Sequence, residues 1–399
     1  MRLKGKDKER IPTQIEYEMK WVNRSVADVC EIVSGSTPSR KNEEYWSGSD
    51  VPWFTVKDVR QQGHEIHWTK ESVSKNALET SSINMVPRGT VLVCCTASIG
   101  EYALAQIPLT FNQQFNGLVP NGEVDSKYLM HWASTIQGKL LEMSGKATVD
   151  FVSQSKLKSL SIPLPPLEEQ KRIAGILDEA DRVRKKTQAL IDKYDELAQS
   201  LFLDMFGDPV TNPKGWEVKP LGELFQISTG KTPSTKDSEN FNGNIPFVTP
   251  PDFNSDDETD RFLSEKGAAQ SRIVPKGSLL VTCIGSIGKT KIVDLPSCFN
   301  QQINAIEIGS GWHPEVLEFA VQGMRSVLEA AASATTVPIL NKGNFQKIKV
   351  FVPPAELQES FTSRYRQIQR SVGELKSGKE QGQALFNSLL QKAFKGELT

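Results

Sequence analysis

The chain has 399 residues, 38% of them hydrophobic and 24% charged, with a formal net charge of −1. That length admits two or more domains with cores of their own, and the near-neutral balance excludes a uniformly basic surface while leaving charge free to segregate by face. No apolar run is long enough to span a bilayer; the start MRLKGKDKER lacks an apolar signal core. Five cysteines without a CxxC pair point to a reducing compartment, so the expected location is cytoplasmic.

In chain order, residues 1–20 read as a flexible tail and residues 21–165 as a first domain. GTVLVCC, after a Pro-Arg-Gly turn, reads as a strand. Leu129, Trp132, Ile136 and Leu140 fall at helical spacing. LSIPLP alternates with period two, placing Leu160, Ile162 and Leu164 on one face. Residues 166–208 read as one long helix. Pro166 opens it, Glu168 and Glu169 suit the positive end of its dipole, and Gly207 and Pro209 stop it. Ile173, Ile176, Ala180, Val183, Thr187, Leu190, Tyr194, Leu197 and Leu201 recur in steps of three and four and predict a coiled-coil seam.

Residues 212–353 then repeat the first domain, and residues 354–399 repeat the helix. WVNRSVADVCEIVSGSTPS from Trp21 matches WEVKPLGELFQISTGKTPS from Trp216, and CTASIGEYALAQIPLTFNQQ from Cys95 matches CIGSIGKTKIVDLPSCFNQQ from Cys283. The period, near 190 residues, is too long for a solenoid unit and marks a tandem pair of domains. The offset falls from 195 at the tryptophans to 188 at Pro87 and Pro275, so the first copy carries about seven extra residues, nearly all between Phe54 and Val86. Similarity is also lost there. A shared scaffold with one divergent segment suits two readers of different targets; free drift of a surface loop is the alternative. The second helix has Gly378 and Gly382 where the first has Leu190 and Tyr194, which leaves open whether they permit close helix approach or interrupt the helix. The expected fold class is α+β, with two similar globular domains separated by two long antiparallel coiled-coil helices.

Catalytic motifs are incomplete. STGKT at Ser228 and GKT at Gly288 have Phe225 and Cys283 where a phosphate loop needs glycine. TPPDF at Thr249 lacks the Asn or Asp of an amino-methyltransferase. His64 and His67 have no ligand set around them, and Cys94 and Cys95 read as buried small apolar residues. Binding is favoured over catalysis.

The ordered run GSTPS, VPWFTVKD, VPRGTVLVCCTASIGEYALA, FNQQ and SIPLPPLEEQKRIAGILDEAD, followed by its second copy, resembles the specificity subunit of type I restriction-modification systems over nearly the whole chain after residue 20. The resemblance implies two target recognition domains, each reading one half of a bipartite double-stranded DNA site. The helices would set the half-site spacing and dock two modification (methyltransferase) subunits; restriction (endonuclease/translocase) subunits would complete the complex. It implies a non-catalytic subunit in DNA methylation, with no cofactor bound by this chain, S-adenosylmethionine in the modification partner, and ATP and Mg in the restriction partner. The other reading is a non-enzymatic scaffold bridging two protein partners.

On that resemblance, candidate DNA contacts in the divergent spans are Lys57, Arg60, Gln61, Gln62 and Lys70, and Asp252, Asn254, Arg261 and Lys266, with arginine and glutamine suited to guanine and adenine edges and Asp able to accept from cytosine. Candidate phosphate contacts near the Thr-Pro-Ser turns are Arg40, Lys41, Lys231 and Lys236. Gln113, Gln114, Gln301 and Gln302 recur in both halves and are expected to serve the scaffold. Phe202, Met205, Phe206, Leu390 and Phe394, beyond the seam, are the expected modification-subunit contacts, with packing inside the chain as the alternative.

Overall fold

VLVC at Val91–Cys94 and LLVT at Leu279–Thr282 are the central strands of two similar domains. Each follows a turn whose glycine, Gly89 or Gly277, holds a left-handed φ of 90° or 83° that other residues adopt only under strain. The computed structural model describes residues 21–48, 50–144, 151–254, 259–333 and 336–398, so the tail expected over 1–20 lies outside the described residues. The chain divides into one unit of residues 1–186 with 379–399 and a second of residues 187–378.

In the first unit a five-stranded sheet runs in the order Cys30–Ser34, Phe115–Pro120, Val91–Cys94, Tyr102–Ala105, Glu65–Ile66. All neighbours are antiparallel except the last pair. Val91, Val93 and Cys95 face one core, which includes Leu129, Trp132, Ile136 and Leu140. Leu92 and Cys94 face a second core with Phe54, Phe111 and Phe115. Burial on both faces is why this strand reads as an unbroken apolar run. Val51–Phe54 lies between Glu71–Val73, antiparallel, and Thr110–Phe111, parallel, in a smaller sheet. Val22–Ser25 pairs with Ser161–Leu164 and ties the domain's entry to its exit.

The second unit repeats this plan. A four-stranded sheet has the order Gln226–Thr229, Ile303–Glu307, Leu279–Thr282, Thr290–Ile292. Phe241–Val248 pairs with Phe262–Leu263 and with Ser297–Phe299, and Val218–Pro220 pairs with Lys349–Phe351. Leu129, Trp132, Ile136 and Leu140, and at the same helical spacing in the second copy Leu317, Ala320, Met324 and Leu328, are all buried, but each set spans two short helices, Ser126–Ala133 with Gln137–Met143 and Pro314–Gly323 with Arg325–Ala330.

Leu167–Phe206 and Ala355–Lys395 are the long helices, of 40 and 41 residues. Gly207 and Gly396, at φ 81° and 78°, follow their ends as left-handed caps. Gln170 is fully buried at the first start: its Oε1 accepts from Asp125 N at 2.8 Å, and its Nε2 donates to the carbonyls of Pro165 and Glu123. Gln358, 188 residues on, repeats the arrangement with His313 N and the carbonyls of Pro353 and Gly311. Every polar atom of these buried amides is thereby used, which is what makes their burial tolerable. Within the first unit, Arg172 reaches the Leu398 carbonyl and Arg184 reaches Gln383, so the two helix segments run antiparallel.

The structure revises the seam. Val183, Leu190 and Leu197 are about half exposed, whereas Ile173, Ala174, Leu177, Ile191, Ala198, Phe202 and Phe206 are buried. Of the expected seam, Ile173, Ile176, Ala180 and Leu201 do pack against the domain cores, so the inward stripe overlaps the expected one at both ends and departs from it in the middle, where alanines and phenylalanines complete it. In the second helix Gly378 stands at the equivalent of the exposed Leu190, and Gly382 at that of the half-buried Tyr194. That helix runs unbroken through both glycines, and a Cβ at either would meet nothing within 4 Å. They therefore neither interrupt the helix nor admit a close neighbour.

Candidate nucleic-acid interface

The two most repeated motifs meet in each domain. Thr37 of GSTPS donates from Oγ1 to Gln113, and Thr232 of GKTPS donates to Gln301 at 2.7 Å. Asn112 Nδ2 donates to Gln114 Oε1 at 2.9 Å and accepts from Gln114 N; Asn300 and Gln302 do the same. The glycine of each turn is required by proximity, because a Cβ on Gly35 or Gly230 would lie 2.0 or 2.2 Å from the Asn112 or Asn300 carbonyl oxygen. The four glutamines thus serve the scaffold, as their recurrence predicted.

A carboxylate fixes the start of each divergent segment. Asp58 Oδ2 accepts from Thr55 N at 2.7 Å, and its Oδ1 accepts from Lys70 N at 2.8 Å. Asp252, the equivalent residue, accepts from Thr249 N and Oγ1. Asp252 is therefore a capping residue, a local role that its reading as a DNA contact did not include. Gln62 is also spent locally: its Nε2 donates to the Trp68 carbonyl and its Oε1 accepts from His67 N and Trp68 N. Lys57, Arg60, Gln61 and Lys70 remain exposed around this braced loop, as do Lys41, Lys231 and Lys236 beside the Thr-Pro-Ser turns.

Arg40 is held in place. Its guanidinium lies 3.4 Å from the centroid of the Trp46 ring and 5.0 Å from that of Trp53, and its Nη2 donates to Glu71 Oε2 at 2.7 Å. The indoles meet edge to face at 4.9 Å, and their N–H groups donate to the Ser39 and Ser36 carbonyls. Trp46 and Glu71 were not legible as functional residues, because Glu71 lies 31 residues from its partner with no motif joining them. In the second unit, Thr235 and Phe241 stand where the first has Arg40 and Trp46. Arg261, opposite Phe247 across the strands, stands where the first has Glu71. Arg261 donates to Thr249 Oγ1 and lines an open concavity of about 440 Å³ with Thr232, Thr235, Phe241, Phe262 and Asn300. Asn254 accepts from Lys289. Lys266 is paired with Glu239 and Asp237, which hold its ammonium above the ordinary lysine range.

Two of the expected modification-subunit contacts are corrected. Phe202 and Phe206 are wholly buried among Phe319, Phe351 and Phe361, so neither ring has surface to offer a partner. Met205 packs on the same core, and Leu390 and Phe394 pack on the core of the first unit, Phe394 against Tyr128 at 5.1 Å. Phe202 and Leu390 are equivalent positions, as are Phe206 and Phe394. The end of each long helix thus completes the core of one domain.

Comparison with known proteins agrees with this plan. The family model for the type I restriction modification DNA specificity domain matches residues 18–193 and 213–381. The chain is 28% identical over 369 residues to the type I restriction enzyme MjaIX specificity subunit of Methanocaldococcus jannaschii, covering 86% of this chain and 85% of that one. It is 30% identical over 222 residues to the HindI specificity subunit of Haemophilus influenzae, covering 51% and 48%. The crystal structure of a type I restriction-modification S subunit from M. genitalium superposes with a TM-score of 0.59 at 17% identity, over 96% of this chain and 98% of that one, which supports the fold. Two matched segments, one on each repeated domain and the helix that follows it, place the chain in the family of type I restriction-modification DNA specificity domains.

Proposed function

We propose that this chain is the DNA-recognition subunit of a type I restriction-modification complex, in which each domain reads one half of a bipartite site. The observation that carries this reading is the duplicated scaffold with one divergent, exposed, cation-bearing segment in each copy. Arg40, Lys41, Lys57, Arg60, Gln61 and Lys70 serve the first half-site; Lys231, Lys236, Asn254, Arg261 and Lys266 serve the second. Lysines supply phosphate attraction, which positions the protein without specifying sequence. Arginine and glutamine forks suit base edges.

The partners are two modification subunits and, in the complete complex, restriction subunits. The chain itself transfers no methyl group. S-adenosylmethionine belongs to the modification partner, which extrudes the target base, and ATP and Mg belong to the restriction partner. The exposed, heptad-spaced Leu190 and Leu197 of the first long helix offer the modification subunit an apolar strip in place of the buried phenylalanines. The full chain is expressed with its modification partner and the methylated adenines of the host genome are mapped. A motif of two short half-sites with a fixed gap is expected; methylation without such a motif contradicts the reading.

A further inference from the structure

Arg40 is held in a way that a phosphate contact does not need. Its guanidinium is stacked on Trp46 and bonded to Glu71, so its direction is set before any ligand arrives. Its side chain nonetheless remains 54% exposed, and that of Glu71 33%. The carboxylate at 2.7 Å would also repel a phosphate that approached the pair. A fixed planar fork beside a carboxylate acceptor instead matches a base-pair edge, where guanine presents two acceptors and cytosine presents an amino donor.

Comparison of the two copies points the same way. Three residues before Arg40 and Thr235, the Thr-to-Gln bond of the scaffold is the same in both. At the surface the pair Arg40 and Glu71 is replaced by Thr235 and Arg261. An unchanged support carrying exchanged, exposed polar groups is the pattern of a reading position.

We propose that Arg40 and Glu71 together read one G·C base pair in the half-site of the first unit. Arg40 donates its fork to guanine O6 and N7, and Glu71 accepts from the cytosine N4 amino group. The inference rests on the function proposed above. Trp46 is a positioning residue: it holds the guanidinium flat and lowers the entropy lost on docking.

The test uses the full chain with its modification partner and genome-wide mapping of methylated adenines. The unaltered chain, R40K and E71Q are compared, with melting temperatures measured for each. The first unit's half-site is expected to contain a G·C pair. R40K keeps the charge and loses the fork, so preference for that pair should fall roughly tenfold to hundredfold, with the other positions and the second half-site unchanged. E71Q should relax the same pair. An unchanged motif in folded R40K, a uniform loss of methylation at every site, or a half-site without a G·C pair overturns the inference. If R40K does not fold, the E71Q motif decides in the same way. A chain that directs no bipartite methylation at all defeats the functional reading itself, which is a separate outcome.

Discussion

Lys127 and Asp178 form an ion pair at 2.5 Å, and the equivalent positions of the other unit, Glu315 and Arg366, form the same pair at 2.9 Å with the charges exchanged. Each pair joins the first helix of a domain's buried helical layer to the long helix that leaves the domain. Burial works against the Asp178 carboxylate, but hydrogen bonds from His131 and Lys127 outweigh it and hold the group below its ordinary range. In the second unit Phe319 stands in place of His131, so its pair lacks that third member.

Reversing one charge should therefore cost more than removing the pair. Arg366 is 60% exposed, and exposed pairs contribute only about 0.2–1 kcal/mol, so E315K is expected to destabilise by about 1 kcal/mol through lost attraction and new repulsion. E315K/R366D should recover most of that loss. Urea melts of the two variants and the parent chain check it; a double variant no better than the single would show that the charges do not couple.

Glu318 gives the second unit a pH dependence. Burial, and after it the nearby Glu315, push its pKa up to about 7, against a hydrogen bond from Thr290. A carboxyl whose folded pKa is raised favours folding while protonated, so this contribution is lost as pH rises from about 4.5 to about 7. E318Q should be more stable than the parent at pH 8, by roughly 1–3 kcal/mol at 1.36 kcal/mol per pKa unit. The advantage should vanish near pH 4.5. Melting curves at pH 4.5, 6 and 8 test this, and a pH-independent difference would refute the titration.

Gly378 and Gly382 lie inside a continuous helix and face open space. Replacing each by alanine should stabilise the chain by about 0.5–1 kcal/mol. A loss of stability in either variant would mean that the glycine serves a shape this helix does not have here.

Much of this was legible in the sequence because it depends on local chemistry. The first long helix stops at the expected Gly207, the strand after each Pro-x-Gly turn is present, and the repeated glutamines brace a repeated turn. The inward face of the helices was legible only in part: Ile173, Ile176, Ala180 and Leu201 were expected there and pack on the domain cores. Val183, Leu190 and Leu197 have the right spacing and the right size, yet Ala174, Ala198 and Phe202 are the residues turned inward, because a domain surface decides which stripe is covered. The Arg40–Glu71 pair was hidden for a similar reason: strand pairing brings Glu71 opposite Trp53, and no spacing announces it. The cap made by Asp252 was legible but missed: Thr249 to Asp252 has the Thr-x-x-Asp spacing of a capping box.

A heptad inserted after Thr187 and another after Leu375 keep both helices in phase on whichever stripe faces inward. Each lengthens its helix by about 10 Å at 1.5 Å per residue, equivalent to roughly three base pairs along DNA. Tilt and DNA bending can absorb part of this, so the gap between half-sites should grow by one to three base pairs while the half-sites stay the same. An active variant with an unchanged gap would remove the helices from the setting of that distance.

The central claim is that each domain reads its own half-site. It is tested most directly by replacing residues 216–352 with the corresponding domain of a relative and mapping methylated adenines in cells that also carry the modification partner. The account predicts a bipartite motif in which one half changes and the other is retained base for base. A motif changed in both halves, or in neither, would contradict it.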